Sequence, residues 1–216
     1  MSYAVRPMCM GDVPQVNEID RECFPTQWPT ISFRRELLSN RLSRYLVVLE
    51  ESNNPSEPVE QLDQSGSGSA SRFSERLRRF FPTDNTSRST TKQRILGVVG
   101  FWIMADEAHI STIGVRSVYR RQGLGELLLI STIELAQTLN AHVITLEVRA
   151  SNSVAQALYE KYGFAKAGVR RGYYSDREDA VIMTTDAITS APFQSQFQRL
   201  KESHAQTWRL ADCHST

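Results

Sequence analysis

The sequence predicts an α/β fold built on one mixed sheet. Strand-like and helix-like periodicities alternate along most of the chain, which favours a layered α/β domain. The short segment Ala-Asp-Glu-Ala at residues 105–108 separates two apolar strands and favours a hairpin between them. Because hairpins join antiparallel strands, we do not expect a purely parallel, doubly wound sheet.

The individual elements follow from periodicity and from residues that begin or end helices. Apolar runs or alternation predict strands at residues 3–6, 45–49, 95–104, 109–115, 142–149, 164–174 and 179–184. Apolar residues at helical spacing predict helices at residues 12–23, around 33–38, at 125–140 and at 153–162. Asn152 is a suitable N-cap for the helix at 153–162, and Gly163 is a suitable stop.

Three segments differ in composition from this pattern. Residues 51–94 are rich in serine and poor in branched apolar side chains, so we predict a disordered insertion there. Within it, residues 72–81 place apolar side chains at helical spacing opposite arginines, which is typical of a short amphipathic helix. Residues 187–216 predict an appended amphipathic helix. We therefore expect a single domain over residues 1–186, interrupted at 51–94 and followed by a C-terminal extension.

Composition and charge argue against several classes of protein. The 216-residue chain has a formal net charge of +1, unlike a generally basic nucleic-acid coat. Its longest apolar stretch, residues 95–105, is too short for a membrane span of about 20 residues. The three cysteines form no CxxC pair, and the four histidines show no metal-ligand spacing. We expect a monomeric, cytoplasmic protein with no metal, no transmembrane segment and no direct nucleic-acid partner.

The segment with the clearest chemistry joins a strand to a long helix. After the strand ends at Val115, Arg120 and Arg121 precede the Gly-Leu-Gly of residues 123–125. Glycines let backbone N–H groups approach a ligand, and a helix N-terminus attracts anions, so the segment favours a pyrophosphate. It lacks the third glycine of a dinucleotide fingerprint and the Gly-Lys-Ser/Thr of a P-loop. On Gly-x-Gly alone, an ordinary glycine-rich turn into a helix is the favoured interpretation.

The surrounding residues resemble those of the GCN5-related N-acetyltransferases. Arg120-x-x-Gly123-x-Gly125 matches the acetyl-CoA pyrophosphate signature of that superfamily. Similarity to its RimI branch extends over residues 106–110, 112–115, 146–152, 157–159, 163–164, 170–174 and 178–180. The resemblance implies helices on both faces of a central, mostly antiparallel sheet. Members of the branch acetylate protein N-termini, and the bacterial type member modifies the terminal alanine of a small-subunit ribosomal protein.

The resemblance also implies an acetyl-CoA site. In this superfamily the backbone of the strand before the turn, here Ile113, Gly114 and Val115, pairs with the pantetheine arm like an added strand. The residues expected to hold the pyrophosphate are Arg120, Arg121, Gln122, Gly123, Leu124 and Gly125. Asn152 resembles the family's cofactor-contacting asparagine, and it also suits a plain N-cap. Gly114 departs from the usual alanine, which leaves room for the arm and is expected to loosen the strand slightly.

Two residues are expected to transfer protons. By resemblance, Glu147 is the general base and Tyr159 is the general acid for the departing CoA thiolate. Without the resemblance, Glu147 would also suit a solvated carboxylate or a partner of Arg149, and Tyr159 would suit core packing. None of the three cysteines falls in a family motif. We therefore expect the amine to attack the thioester directly, with no acetyl-cysteine intermediate.

The acceptor is expected to be the N-terminal amine of a protein, in particular the N-terminal alanine of a small-subunit ribosomal protein. Trp28 would form a wall for the first side chain, and Tyr173 and Tyr174 would bond the first peptide units. Simple packing between loop and sheet suits these aromatic residues equally. Two other functions stay open: a broader N-terminal, lysine or small-amine acetyltransferase, and a CoA-binding regulatory module.

Overall fold

A computed structural model describes residues 2–24, 32–51 and 93–213. Trp28, the amphipathic segment at 72–81 and nearly all of the predicted insertion lie outside these residues. The strands are β1 (Ser2–Pro7), β2 (Ser43–Glu51), β3 (Ile95–Met104), β4 (Glu107–Val115), β5 (Val143–Arg149), β6 (Phe164–Arg170) and β7 (Ala180–Thr185). The α-helices are α1 (Val13–Cys23), α2 (Phe33–Ser39), α3 (Leu124–Thr138), α4 (Ser153–Lys161) and α5 (Ala191–Cys213).

The strands form one seven-stranded sheet in the order β1-β2-β3-β4-β5-β7-β6. Every neighbouring pair is antiparallel except β4 and β5, which are parallel. β3 and β4 form the predicted hairpin, in which Ala105 adopts a positive φ of 53°. The prediction of a mixed, mostly antiparallel sheet is confirmed.

Helices cover both faces of this sheet, and β2 shows why. Leu46 and Val48 belong to an apolar cluster that contains residues of α3 and α5. Val47 and Leu49 belong to a second cluster, which contains residues of α1 and α2. Because successive side chains of a strand point to opposite faces, one continuous apolar strand supports helices on both sides.

The ends of α4 agree with the sequence prediction. Asn152 is the N-cap, and its Oδ1 accepts a hydrogen bond from the N–H of Ala155 at 3.2 Å. Gly163 follows the helix with a φ of +84°, a conformation that favours glycine. A Cβ at Gly163 would also lie 3.3 Å from the ring of Phe193 on α5.

The prediction of a strand over residues 164–174 is wrong in its second half. β6 ends at Arg170, and the chain turns at Gly172, which has a φ of +56°. The N–H of Gly172 bonds to Asp179 Oδ1 at 2.8 Å, which closes the turn. Because a positive φ is incompatible with an extended strand, Tyr173 and Tyr174 lie in a loop.

Within residues 2–24, 32–51 and 93–213, no helix is both long enough and apolar enough to cross a bilayer.

Candidate active site

The sheet opens between β4 and β5. The two strands pair only over their first four residues, and β4 then continues with no strand partner on that side in the described chain. The N–H of Arg116 donates to the carbonyl of Leu96 on β3. Since backbone polar groups alternate in direction along a strand, those of Ile113 and Val115 point toward the open edge. This edge is therefore able to accept an extended ligand as if it were another strand.

The turn after β4 has two residues in the left-handed region. Arg121 has a φ of 65° and Gly123 has a φ of 80°. Gly123 is the N-cap of α3, so the unpaired N–H groups of the first helical turn lie directly beside it. Arg120 Nε donates to the carbonyl of Val115 at 3.0 Å, which holds the guanidinium at the end of the open edge. The N–H groups of the first turn of α3 and the guanidinium of Arg120 therefore lie at the same end of the open edge, an arrangement that suits an anion.

The first turn of α3 is braced by side chains at the end of α4. Glu126 accepts hydrogen bonds from Lys161 Nζ and from the hydroxyl of Tyr162, both at 2.6 Å. Burial raises the pKa of the Glu126 carboxyl, but these two bonds outweigh it, and the pKa lies below its usual value. The ionised carboxylate therefore ties the start of one helix to the end of the other.

Gly114 is glycine because α1 packs directly against it. A Cβ at Gly114 would lie 2.9 Å from Cys23 Sγ and 3.2 Å from Cys23 Cβ. The Cys23 thiol donates to the carbonyl of Val115 at 3.4 Å and lies 3.5 Å from the guanidinium of Arg120. Burial raises the pKa of the Cys23 thiol above its usual value, so it is protonated at neutral pH and unsuited to nucleophilic attack.

Glu147 lies between two basic side chains. Its Oε2 is 3.0 Å from His109 Nε2, and its Oε1 is 3.2 Å from the guanidinium of Arg170. The side chain is 7% exposed. The hydrogen bond from His109 and the nearby charge of Arg170 outweigh the effect of burial, so the pKa of Glu147 lies below its usual value. Glu147 is therefore an ionised carboxylate at neutral pH.

His109 is a residue of this site that the sequence reasoning did not identify as functional. Its Nδ1 is 3.0 Å from Thr145 Oγ1, and the hydroxyl of Thr145 donates to Glu107 Oε1 at 2.5 Å. The imidazole also stacks on Trp102, with ring centroids 4.6 Å apart. Because Thr145 and Glu147 both present acceptor oxygens to the ring, His109 completes both bonds only when both of its nitrogens carry a proton.

Tyr159 lies on α4, 5% exposed and packed against Phe164 with ring centroids 5.7 Å apart. Its hydroxyl makes no hydrogen bond with any described residue. Burial, together with the neighbouring Tyr174, raises the pKa of the Tyr159 phenol well above its usual value. The ring of Tyr159 therefore packs in the hydrophobic core. Its hydroxyl is protonated at neutral pH and is able to donate a hydrogen bond.

The loop between β6 and β7 carries the two predicted groove tyrosines. The rings of Tyr173 and Tyr174 meet edge to face, with centroids 5.2 Å apart. The guanidinium of Arg149 lies 4.0 Å from the centre of the Tyr174 ring. Arg149 also forms ion pairs with Asp176 at 2.8 Å and with Glu178 at 2.6 Å. The loop is thus held against the end of β5 by Arg149.

These elements enclose a cavity of about 660 Å³, within the size range of small-molecule sites. It brings together six of the predicted site residues: Ile113, Glu147, Asn152, Tyr159, Tyr173 and Tyr174. Its other polar lining residues include Asp20, Cys23, Glu107, His109, Thr145, Arg149 and Arg170. The predicted pyrophosphate turn, residues 120–125, begins at the outer end of the same open edge. Trp28 lies outside the described residues.

The arrangement combines three chemical capabilities. An open strand edge leads from the helix N-terminus and the Arg120 guanidinium at the start of α3 toward the cavity. The cavity presents an ionised carboxylate, Glu147, that can accept a proton from an amine. It also presents a protonated phenol, Tyr159, that can donate a proton or a hydrogen bond to a leaving group. Such a site suits transfer of an acyl group from an extended, phosphate-bearing thioester to an amine.

Comparisons with known proteins agree with this class of enzyme. The model of the acetyltransferase (GNAT) family matches residues 75–164. A protein of Bacillus subtilis (strain 168), provisionally named as a ribosomal protein bS18-alanine N-acetyltransferase, is 33% identical over 181 residues, or 83% of this chain and 93% of that protein. The chain therefore belongs to the GNAT family of acetyltransferases, whose members use acetyl-CoA, and it is an N-acetyltransferase.

Two further comparisons concern Escherichia coli. The ribosomal protein bS18-alanine N-acetyltransferase of strain K12 is 46% identical over 84 residues, which is 38% of this chain and 57% of that protein. The crystal structure of the ribosomal-protein-S18-alanine N-acetyltransferase from Escherichia coli has a TM-score of 0.61 at 25% identity, over 88% of this chain and 96% of that chain. Both the sequence and the fold are thus similar to enzymes that share one named acceptor.

Proposed function

We propose that this protein acetylates the N-terminal amine of a protein with acetyl-CoA as donor, and that its acceptor is the N-terminal alanine of a small-subunit ribosomal protein. The observation that carries the proposal is the position of Glu147, buried in the cavity between His109 and Arg170 and on the strand that separates from β4. The names of the relatives from Bacillus subtilis and Escherichia coli support this acceptor.

The donor half of the site lies on β4, the following turn and α3. Along the segment Ile113-Gly114-Val115, the outward-facing backbone groups of Ile113 and Val115 bind the pantetheine arm at the open edge. The pyrophosphate lies against residues 120–125, where Arg120 supplies charge and the first turn of α3 supplies N–H groups. Asn152 lines the cavity while it caps α4. Bound there, acetyl-CoA supplies the thioester from which the acetyl group is transferred.

The acceptor half contains the groups that handle protons. Glu147 takes a proton from the incoming amine, directly or through a water, and the amine attacks the thioester carbonyl. His109 and Arg170 keep Glu147 ionised before the reaction. His109 also links Glu147, through the hydroxyl of Thr145, to the side chain of Glu107. Proton transfer in this site therefore takes place within a network of two carboxylates and two basic groups.

Tyr159 completes the reaction. A thiol such as that of CoA has a pKa of about 8.5, near that of cysteine, so the departing thiolate accepts a hydrogen bond or a proton readily. Burial keeps the Tyr159 phenol protonated, and its hydroxyl has no competing partner among the described residues. Tyr159 thus stabilises the negative charge that develops on the leaving sulfur.

The pKa values of the two kinds of amine favour an α-amine over a lysine side chain as the acceptor. A free α-amino group has a pKa of about 7.7–8.0, so roughly a tenth of it is neutral at pH 7. Lysine has a pKa of about 10.4, and its deprotonation at the same pH costs about 3.5 kcal/mol more. A carboxylate whose pKa is held below its usual value is a weak base, which suits the more acidic α-amine.

The acceptor groove is lined from the loop between β6 and β7. Tyr173 and Tyr174 lie at the cavity wall and offer hydroxyl groups to the first peptide units of an acceptor. Burial raises the pKa of Tyr174 to about 12, so its hydroxyl is protonated at neutral pH. Trp28 is proposed as the wall for the first side chain.

A thiol-release assay with short peptides tests the proposal. Peptides that begin with Ala, Ser, Met or Glu are compared with lysine peptides whose N-termini are blocked. We expect release of CoA with the free N-termini, greatest for Ala, and only background release with the blocked lysine peptides. Reaction with the blocked lysine peptides alone would show that the proposed acceptor is wrong. Binding of acetyl-CoA without turnover on any peptide would favour the regulatory module.

A further inference from the structure

The C-terminal helix α5 extends from the end of α4 to the start of α3. Near its beginning, Phe197 packs against Tyr162 with ring centroids 6.4 Å apart. One turn further, Lys201 Nζ forms an ion pair with Glu134 Oε1 on α3 at 2.9 Å. His204 follows three residues later and lies beside the N-cap of α3. The helix predicted as an appendage therefore contacts the turn that begins the proposed pyrophosphate site.

His204 is buried and hydrogen-bonded to this turn. It is 8% exposed, and its Nε2 lies 3.0 Å from the carbonyl oxygen of Gly123. Because a carbonyl oxygen only accepts hydrogen bonds, His204 Nε2 is the donor. The same oxygen accepts the N–H of Leu127 at 2.9 Å. Two donors from two helices thus hold a single carbonyl group.

Fixing this carbonyl also fixes the N–H group that follows it. The peptide bond between Gly123 and Leu124 is planar and trans, so the N–H of Leu124 points opposite to the carbonyl of Gly123. The carbonyl points into α3, where Leu127 and His204 bond it. The N–H of Leu124 therefore points out of the helix N-terminus, where anions bind.

The turn needs such a restraint because of its own backbone. Gly123 has a φ of 80° and lacks a Cβ, so it has more conformational freedom than any other residue would have there. Arg121, two residues earlier, also has a positive φ of 65°, which costs free energy in a residue with a side chain. The buried hydrogen bond from His204 on α5 restricts the freedom of Gly123 and helps to offset the free-energy cost of the conformation of Arg121.

We propose that His204 is a positioning residue for acetyl-CoA: it holds the peptide between Gly123 and Leu124 so that the N–H of Leu124 is presented to the pyrophosphate. The proposal rests on the proposed acetyl-CoA site. His204 acts through the backbone and not by touching the acetyl group or the acceptor. The C-terminal helix is thereby part of the donor site.

Substitution of His204 by two residues tests this role. His204→Phe keeps a planar ring but removes the donor, whereas His204→Gln keeps an amide N–H close to the position of Nε2. Calorimetric titration of the full chain with CoA, without any acceptor, measures the effect. We expect His204→Phe to weaken CoA binding about 2- to 13-fold, the range for loss of one hydrogen bond. We expect His204→Gln to bind CoA within about twofold of the unmodified protein.

Lys201→Met is the matched control, because Lys201 also joins α5 to α3 but at Glu134, away from the turn. It is expected to lower the Tm while leaving CoA affinity unchanged. A second control uses S-acetylpantetheine, which lacks the pyrophosphate. Its kcat/KM with an alanine peptide is expected to be the same in His204→Phe and in the unmodified protein.

Three results would overturn the proposal: unchanged CoA affinity in a folded His204→Phe, equal losses of affinity in His204→Phe and Lys201→Met, or equal effects on CoA and S-acetylpantetheine. If His204→Phe does not fold, His204→Asn replaces it, because its shorter amide does not reach Gly123 while that of His204→Gln does. Failure of the unmodified protein to bind CoA would instead contradict the proposed function.

Discussion

Glu147 combines burial with two basic neighbours, and this combination defines its chemistry. A buried carboxylate alone would have a raised pKa and would be partly protonated near neutral pH. His109 and Arg170 reverse this tendency, so Glu147 holds a negative charge before the acceptor arrives. The lowered pKa also makes Glu147 a weaker base, since a carboxylate with a low pKa binds a proton weakly. The site therefore depends on an acceptor amine that releases its proton easily.

The first prediction concerns Glu147 itself. Glu147→Gln keeps the shape of the side chain and removes the charge and the proton acceptor. We expect turnover on an alanine peptide to fall by roughly 10²–10⁴, while CoA affinity stays within about threefold. Glu160→Gln is the control, because Glu160 is an exposed carboxylate on α4. Unchanged turnover in Glu147→Gln would remove Glu147 from the mechanism.

The second prediction concerns the pKa of Glu147. The hydrogen bond from His109 is the largest influence that lowers it. His109→Phe keeps a planar ring but removes the hydrogen-bond donor, so we expect the pKa of Glu147 to rise and, as the pH falls, its ionised form to be lost at a higher pH. Titration of the side-chain carboxyl by ¹³C NMR measures this directly. Arg170→Gln should shift the pKa in the same direction by less, and a downward shift in either variant would contradict the proposed charge network.

At the scale of elements, the contact between α1 and β4 depends on one missing methyl group. Gly114 allows Cys23 to approach the strand, and this approach places the end of α1 against the open edge. The expectation that Gly114 would merely loosen the strand overlooked this contact. The glycine is instead an adaptation to close packing, because the space of a Cβ is taken by a sulfur atom.

The third prediction follows from this packing. Gly114→Ala brings a methyl group to 2.9 Å from Cys23 Sγ, so we expect the free energy of unfolding to fall by about 1–3 kcal/mol. Cys23→Ala removes the sulfur and should recover about half of that loss in the double variant. Urea denaturation of the single and double variants measures the coupling. Additive losses would show that the two side chains do not compete for the same space.

At the scale of the whole molecule, β2 and β3 are adjacent antiparallel strands joined by residues 52–94. Leu49 near the end of β2 pairs with Ile95 at the start of β3. A short turn is therefore long enough to connect the two strands. We therefore expect the sheet and the cavity to form with a much shorter connection between these two strands.

The fourth prediction is that residues 52–92 can be replaced by a short Gly-Ser turn. We expect the shortened protein to fold and to keep its kcat/KM on an alanine peptide within about threefold, since the entropic cost of closing a loop rises slowly with its length and a shorter loop costs less. Circular dichroism and the thiol-release assay check this result. An unfolded or inactive product would show that residues 52–92 contribute to the domain.

Much of the fold was predictable because its signals are local. Asn152 and Gly163 mark the ends of α4 by their own backbone preferences, and the apolar run of β3 is long and unbroken. The end of β6 was not predictable from periodicity, because the turn at Gly172 depends on a bond to Asp179 across the loop. The role of His109 was missed for a related reason. It lies opposite Thr145 only because β4 and β5 pair in parallel.

The sequence by itself determined the glycine-rich turn, the order of strands and helices, and the ends of α4, because these depend on local conformational preference and spacing. Only the tertiary structure decided which side chains and backbone groups lie within hydrogen-bonding distance of one another. It placed Glu147 between His109 and Arg170, and it brought His204 of α5 to the carbonyl of Gly123. The reason is physical: hydrogen bonds and ion pairs act over a few ångströms, and the chain brings residues so far apart in sequence within that range only after it has folded.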